Sequence, residues 1–407
     1  MSENNFPLSG FSSVAIHSGH EKDENHAHLT PIYASSTYLF DTADQGMRRF
    51  NGQEKGYIYS RWGNPTMNEA EQKIAALESF GLKDKDGKSL QLKTILHSSG
   101  MAALSSLLLG TLKTGDKILT HFSLYGGSHE LMDKLLPEFG IQAIIVDLRD
   151  LNKAEDAIKS DPAIKMLYLE TPANPTIQCV DLEELSKLGK QHNLIVAVDN
   201  TFATPYLQQP FKYEVDYVFH STTKFLNGHG TAIGGALVGK DLTQMEGRMT
   251  KVHRLLGGNS NPFDAFLLTQ GMKTLEVRME RHCKNAEQVA AFLQSNKAIK
   301  KVNYLGLDSH PDHKTSLKQM SHPGAMLSFD LGDLQEGKDF IDKLQMCVRA
   351  VSLGTCDTLL SHPASMTHYG VAKEKREEYG ITDGLIRMSV GIENVADILT
   401  DLEQALK

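Results

Sequence analysis

The sequence predicts an α/β protein, with a mostly parallel sheet in a large domain and a smaller α+β domain at the C-terminal end. Two observations carry this. From about Asn64, short apolar, β-branched runs alternate with helical segments, the pattern of βαβ units. Around Asn259-Ser260-Asn261-Pro262 that alternation stops, and strands and helices of different spacing follow. Residues 1–62, rich in His, Asn, Asp and Tyr with little periodicity, read as an extended arm. Residues 63–262 form the expected large domain and 263–407 the C-terminal one.

Taken in order, residues 65–80 suit an amphipathic helix with Pro65 in its first turn. The segment 81–93 is polar and lysine-rich and reads as a surface loop. Strands are expected at 94–96, 117–120, 143–147, 166–170, 194–199 and 217–220, with helices between most of them. One such helix, 181–192, opens on an acidic first turn. A long helical stretch is expected from 263 to about 295. Beyond it come strands near 325–330, 347–352 and 385–390, and helices near 336–345 and 395–406.

Composition excludes several classes of function. Of 407 residues, 40% are hydrophobic and 23% charged, the profile of a globular protein able to bury a sizeable core. A net charge of -8 argues against nucleic-acid or lipid surfaces as partners. No apolar run approaches the roughly 20 residues of a membrane-spanning helix, and Met1-Ser2-Glu3-Asn4-Asn5 lacks the character of a signal peptide. Cys179, Cys283, Cys347 and Cys356 are scattered without a C-x-x-C pair, which fits reduced thiols in a cytoplasmic protein. His17, His20, His26, His28, His310 and His313 lack a metal-ligand frame, so no metal site is expected. Gly228-His229-Gly230 and Gly234-Gly235 lack dinucleotide-binding spacing.

In such sheets ligands bind beyond the carboxyl ends of the strands, and several reactive side chains fall there. Lys224 follows the run ending in His220-Ser221-Thr222-Thr223, and Asp199 ends the strand before it. A lysine and an acid at neighbouring strand ends suit pyridoxal phosphate: the amine forms a Schiff base, and the carboxylate keeps the pyridine nitrogen protonated. Ser98-Ser99-Gly100-Met101 turns a strand into a helix, either as a phosphate site of free N–H groups or as a helix capped by Ser99. Ser221 and Thr223 offer further hydroxyl donors. Tyr59 and Arg61 lie in the arm, solvated or reaching the active site of a second copy. Tyr125 is either a general acid or base that stacks on a cofactor ring, or a packing tyrosine. Asn174 either meets a ring hydroxyl or belongs to a plain Asn-Pro turn. Arg387, inside an apolar strand, needs an anionic partner or an exposed edge; a substrate carboxylate is one candidate and a structural salt bridge the alternative.

Several ordered motifs add a resemblance. They are Tyr59-Ser60-Arg61-Trp62-Gly63-Asn64-Pro65-Thr66, Ser99-Gly100-Met101-Ala102, Glu170-Thr171-Pro172-Ala173-Asn174-Pro175, Val198-Asp199-Asn200-Thr201, Ser221-Thr222-Thr223-Lys224, His362-Pro363-Ala364-Ser365-Met366-Thr367-His368 and Arg387-Met388-Ser389-Val390-Gly391-Ile392-Glu393. From about His17 to its end the chain resembles the Cys/Met-metabolism (trans-sulfuration) family of fold-type-I pyridoxal phosphate enzymes. The resemblance implies Lys224 as the Schiff-base lysine and proton shuttle, Asp199 at the pyridinium, Tyr125 on the ring and Asn174 at the ring hydroxyl. It implies a phosphate held by Gly100, Met101, Ser221 and Thr223, with Tyr59 and Arg61 supplied by a neighbouring subunit. Arg387, helped by Ser352, would bind the carboxylate of a small amino-acid substrate. A homotetramer of two catalytic dimers is implied as well.

The implied chemistry is γ-elimination on methionine or cystathionine, giving 2-oxobutanoate, ammonia and a thiol. The alternative is γ-replacement, as in O-acylhomoserine sulfhydrylase or cystathionine γ-synthase, and a remoter one is a non-catalytic relative. Val351 stands where γ-synthases and γ-lyases acting on cystathionine often carry glutamate, and so suits an uncharged substrate tail. Gly127 and His253-Arg254 depart from the cysteine and the Lys-Asp pair usual in methionine γ-lyases.

Overall fold

A computed structural model of the chain describes residues 8–21 and 23–407; the reading of Met1–Asn5 as no signal peptide lies outside them. The larger sheet has seven strands: β1 (Lys93–His97), β2 (Lys117–His121), β3 (Gln142–Val146), β4 (Ile164–Glu170), β5 (Ile195–Asp199), β6 (Tyr217–Ser221) and β7 (Gly235–Gly239). Their order is β1-β7-β6-β5-β4-β2-β3. The pairs β2–β3, β2–β4 and β4–β5 are parallel, whereas β1 and β7 are antiparallel. A mostly parallel α/β sheet is therefore the architecture, as the βαβ alternation predicts. The inner strands are covered on both faces, as in β7, whose five residues are all buried, whereas the edge strand β3 is partly exposed.

The chain clusters into two compact units, one made of Met1–Thr111, Phe219–Thr223 and Thr231–Thr274, the other of Leu112–Val218, Lys224–Gly230 and Leu275–Lys407. Within the second, a five-stranded sheet is formed by β8 (Lys301–Asn303), β9 (Met326–Asp330), β10 (Val348–Arg349), β11 (Leu359–Ser361) and β12 (Leu385–Ser389), in the order β10-β11-β12-β9-β8. Leu327, Phe329, Ile386 and Met388 of its strands pack with Leu293 and Leu402 of the helices Leu275–Ser295 and Val395–Ala405 into one buried cluster.

Four expectations need correction. The helical stretch over 263–295 is two helices, Pro262–Met272 and Leu275–Ser295, parted where the Thr274 backbone N–H and hydroxyl turn back to the Gly271 carbonyl. The strand expected at 347–352 is only Val348–Arg349, because Ser352 takes a left-handed φ of 86° that extended chain does not allow. The arm is not wholly irregular: Phe11–His17 and Ala43–Phe50 are helices, the second capped by Thr42. Strands β7, β8 and β11 were not anticipated; β7 is bounded by glycines, and the other two have three residues each.

Candidate active site

In the first unit, β1 leads through Ser98 and Ser99 into the helix Gly100–Thr111. The Ala102 N–H donates to Ser99 Oγ at 3.1 Å, so Ser99 does cap the helix. Among the described residues, no acceptor takes the N–H groups of Gly100 or Met101, the usual state of a first helical turn. Capping and anion binding are thus compatible, since different N–H groups serve each. Gly100 sits against the end of β6: a Cβ there would lie 2.9 Å from the Ser221 Cβ and fill the space in front of the turn. Thr223 is engaged with Gly234, its hydroxyl accepting from the Gly234 N–H at 3.0 Å. Tyr59 is 41% exposed, the Arg61 guanidinium stands 5.5 Å from its ring centroid, and Arg61 donates to the Arg254 carbonyl. His253 is buried edge-on against His97, with ring centroids 4.8 Å apart.

The second unit brings together Lys224, Ser352, Arg387, Asn174 and Tyr125. Lys224 Nζ donates to Ser352 Oγ at 2.7 Å. Arg387 donates to the Ser352 carbonyl at 2.6 Å and to Asn174 Oδ1 at 3.0 Å. The left-handed backbone at Ser352 lets one residue serve both cations, its hydroxyl to one and its carbonyl to the other. Such strain is kept where surrounding bonds enforce it. Burial and then the Arg387 charge lower the Lys224 pKa to about 8, and burial lowers that of Arg387 to about 10. Tyr125 is 50% exposed, so its ring is not packed into the core. Asp199 ends β5 and accepts from the Thr201 N–H at 2.9 Å.

Glu170 is the residue that sequence reasoning did not single out. It ends β4 directly opposite Asp199 and accepts from the Tyr125 N–H at 2.8 Å and the Asn174 N–H at 3.1 Å. One buried carboxyl therefore sets the backbone of two other site residues, and burial and Asp199 push its pKa well above the usual carboxylate range. Its position closing an apolar run, one strand from Asp199, was the available signal.

These residues fit a phosphorylated aldehyde and an amino acid. The first unit offers backbone N–H groups without acceptors. The second offers an amine held near neutrality and a buried guanidinium that pairs with no carboxylate among the described residues, its Nε without a partner. Among the described residues, then, Arg387 makes no structural salt bridge and is held by neutral oxygens. Among the described residues no group of three or more His, Cys, Asp or Glu side chains is arranged to hold a metal ion.

Fold and side chains together define a fold-type-I enzyme that works through pyridoxal phosphate. The family model described as Cys/Met metabolism PLP-dependent enzyme matches residues 12–407, and the chain belongs to that family. It is 47% identical to an L-methionine gamma-lyase of Fusobacterium nucleatum subsp. polymorphum, over 98% of each chain. It is 40% identical to a cystathionine beta-lyase of Lactococcus lactis subsp. cremoris, over 98% of this chain and 100% of the other. The solved structure of cystathionine gamma-lyase from Lactobacillus plantarum, complexed with L-serine, matches with a TM-score of 0.88 at 36% identity, over 97% of this chain and 98% of that one.

Proposed function

We propose that the protein is a γ-lyase of sulfur amino acids, with methionine its substrate and 2-oxobutanoate, ammonia and methanethiol its products. One observation carries the chemistry: Lys224 and Arg387 meet on a single residue, Ser352, and Arg387 has only neutral partners. An α-carboxylate taken by Arg387 keeps the substrate's α-carbon close to Lys224. Identity of 47% to an L-methionine gamma-lyase supports the substrate, and Val351, apolar and 58% exposed beside Ser352, supports a tail without charge.

Pyridoxal phosphate, when bound, supplies the electron sink that acidifies first the Cα and then the Cβ protons. Gly100, Met101, Ser221 and Thr223, with Tyr59 and Arg61 of a second copy of the chain, would hold its phosphate, and Asp199 would face its ring nitrogen. Asn174 gives its oxygen to Arg387, which leaves its amide N–H groups for the ring hydroxyl. Lys224, its pKa lowered to about 8, would take the Cα proton and carry it away from that carbon. Tyr125, exposed above the same residues, donates the proton to the departing sulfur.

In this reading residues 1–62 are an arm laid on a second copy, 63–262 the large domain and 263–407 the C-terminal domain. The whole is a cytoplasmic homotetramer of two catalytic dimers. Exposed Leu39, Met47 and Phe50 in the arm support such a contact. The four cysteines are all free thiols, which supports a reducing compartment. No described helix is long and apolar enough to cross a membrane.

A substrate panel tests the proposal. The enzyme is offered methionine, cystathionine, homocysteine and O-acetylhomoserine, with and without sulfide, and 2-oxobutanoate is followed together with the amino-acid product of replacement. Release of 2-oxobutanoate and methanethiol from methionine alone is expected. Product only from the ester plus sulfide would overturn the lyase reading and establish γ-replacement.

A further inference from the structure

One stripe of the helix Leu275–Ser295 is polar where a core-facing stripe is normally apolar. Arg278 is 4% exposed while its neighbour Val277 is 59% exposed, the reverse of their usual ranking. Arg278, His282 and Asn285 follow one another at spacings of four and three, so they line one side of the helix. All three are buried.

Their partners fall at the two ends of the substrate site. Arg278 Nη1 donates to the Phe225 carbonyl at 2.8 Å and Nη2 to the Leu226 carbonyl at 3.4 Å, the two residues directly after Lys224. His282 Nδ1 donates to the Val390 carbonyl at 2.6 Å, and its ring stands edge-on to Phe225 with centroids 5.3 Å apart. Asn285 Nδ2 donates to the Gly391 and Glu393 carbonyls, each at 2.9 Å. Val390 and Gly391 follow immediately after β12, the strand that carries Arg387. One rigid helix thus grips the turn of Lys224 at one end and the strand of Arg387 at the other.

The turn is shaped for this grip. The Gly228 N–H closes it on the Lys224 carbonyl at 2.8 Å, and a side chain at Gly228 would run into the Arg278 guanidinium. From the other side Gly354 backs onto the turn: a Cβ there would lie 2.6 Å from the Phe225 nitrogen, while the Gly354 N–H donates to Ser389 Oγ of β12 at 2.8 Å. A planar guanidinium reaching two successive carbonyls fixes the orientation of both peptides, which a lysine ammonium does not.

We propose that Arg278 is a positioning residue for Lys224, and that the stripe Arg278, His282 and Asn285 sets the separation between the reactive amine and the carboxylate-binding Arg387. The inference rests on the roles given above to Lys224 and Arg387. It assigns the two ends of the stripe different kinetic signatures. Loosening the Arg278 end misplaces the base and acts on the chemical step. Loosening the Asn285 end misplaces Arg387 and acts on substrate binding.

The test uses full-length protein loaded with pyridoxal phosphate, as Arg278→Met, Arg278→Lys and Asn285→Ala. Cofactor content, the pH midpoint of the visible absorbance, kcat and KM for methionine are measured per cofactor bound. For Arg278→Met the cofactor is retained, the pH midpoint moves, and kcat falls on the order of 10- to 100-fold with KM little changed. Arg278→Lys restores part of both. Asn285→Ala raises KM roughly tenfold with the visible band unaltered. Wild-type band, kcat and KM per bound cofactor in the Arg278 variants, or one and the same pattern at both ends of the stripe, would overturn the proposal. Should Arg278→Met not fold, Arg278→Lys and Asn285→Ala decide by the same criteria. The underlying assignment fails separately: a Lys224→Ala protein that keeps the lysine-bound visible band would sink the role of Lys224, whatever the Arg278 variants do.

Discussion

In the proposed mechanism Lys224 owes its reactivity to two effects, burial and one neighbouring charge. Burial is the larger cause of its lowered pKa, and the positive charge of Arg387 the smaller. Only the neutral amine attacks an aldehyde, so capture of added pyridoxal phosphate by cofactor-free protein has a predictable pH course. The rate of appearance of the visible band rises with pH while the amine is mostly protonated, and levels off above about 8. A rate still climbing toward the ordinary lysine value of 10.5 would contradict a desolvated amine. Arg387→Met removes the second cause, so the midpoint moves upward. The same variant lowers kcat/KM for methionine by a hundredfold or more, because a buried carboxylate partner is lost. Lys224→Ala gives neither band nor turnover while the fold survives.

At the scale of elements, the arm shows how a distant residue decides local structure. Phe11–His17 is too short to be stable alone, and its last carbonyls are satisfied from outside. Lys73, fully buried in the helix Pro65–Glu78, donates to the Ile16 carbonyl at 3.2 Å and the Ser18 carbonyl at 2.7 Å, and Phe11 packs edge-on against Phe80. Lys73→Met keeps the stem but removes the donor, so those partly buried carbonyls lose on the order of 1 kcal/mol of stabilisation. Hydrogen–deuterium exchange should then speed up over residues 11–18 and not in β4 or β5; unchanged protection of the arm would refute the anchoring role. This is also where sequence reading stopped. The parallel strands, Asp199 at the end of β5 and Lys224 three residues beyond β6 were legible because an apolar run followed by a reactive side chain is a local pattern. The arm helix was not, since its partner lies more than fifty residues on. Arg278 was not legible either: in a helix carrying Arg278 and Arg281, charge alone does not say that the first is buried and the second exposed. Ser352 hid in an expected strand, because a single left-handed residue leaves no periodic signature.

Across the whole molecule, buried imidazoles make the fold sensitive to acid. Burial lowers the pKa of His97 to about 3 and those of His253, His282 and His368 to about 4, from an ordinary value of 6.5. Between those limits the unfolded chain takes up protons that the native state refuses, so their stabilisation is complete above about pH 6.5 and is lost as pH falls. Two buried carboxyls work the other way. Glu71, raised by burial to about 7, and Glu170 keep their protons in the fold longer than in the unfolded chain, so they favour the native state as pH falls toward 4.5. His121, His129, His310 and His362 are lowered by burial as well, so the imidazoles outnumber the two carboxyls and leave a net uptake by the unfolded chain near pH 5.5. At about 1.4 kcal/mol per proton and pH unit, stability then drops by at least roughly 2 kcal/mol per unit. Thermal unfolding of the cofactor-free protein, which avoids stabilisation by ligand, should show a melting temperature that changes little near pH 7 and falls from about pH 6 to pH 5. His97→Phe gives the control. It loses the bond from Nδ1 to the Ile95 carbonyl and is less stable at pH 7, but it titrates one group fewer, so its decline toward pH 5 is shallower. A melting temperature that is flat or rising on acidification would mean that these imidazoles accept protons inside the fold.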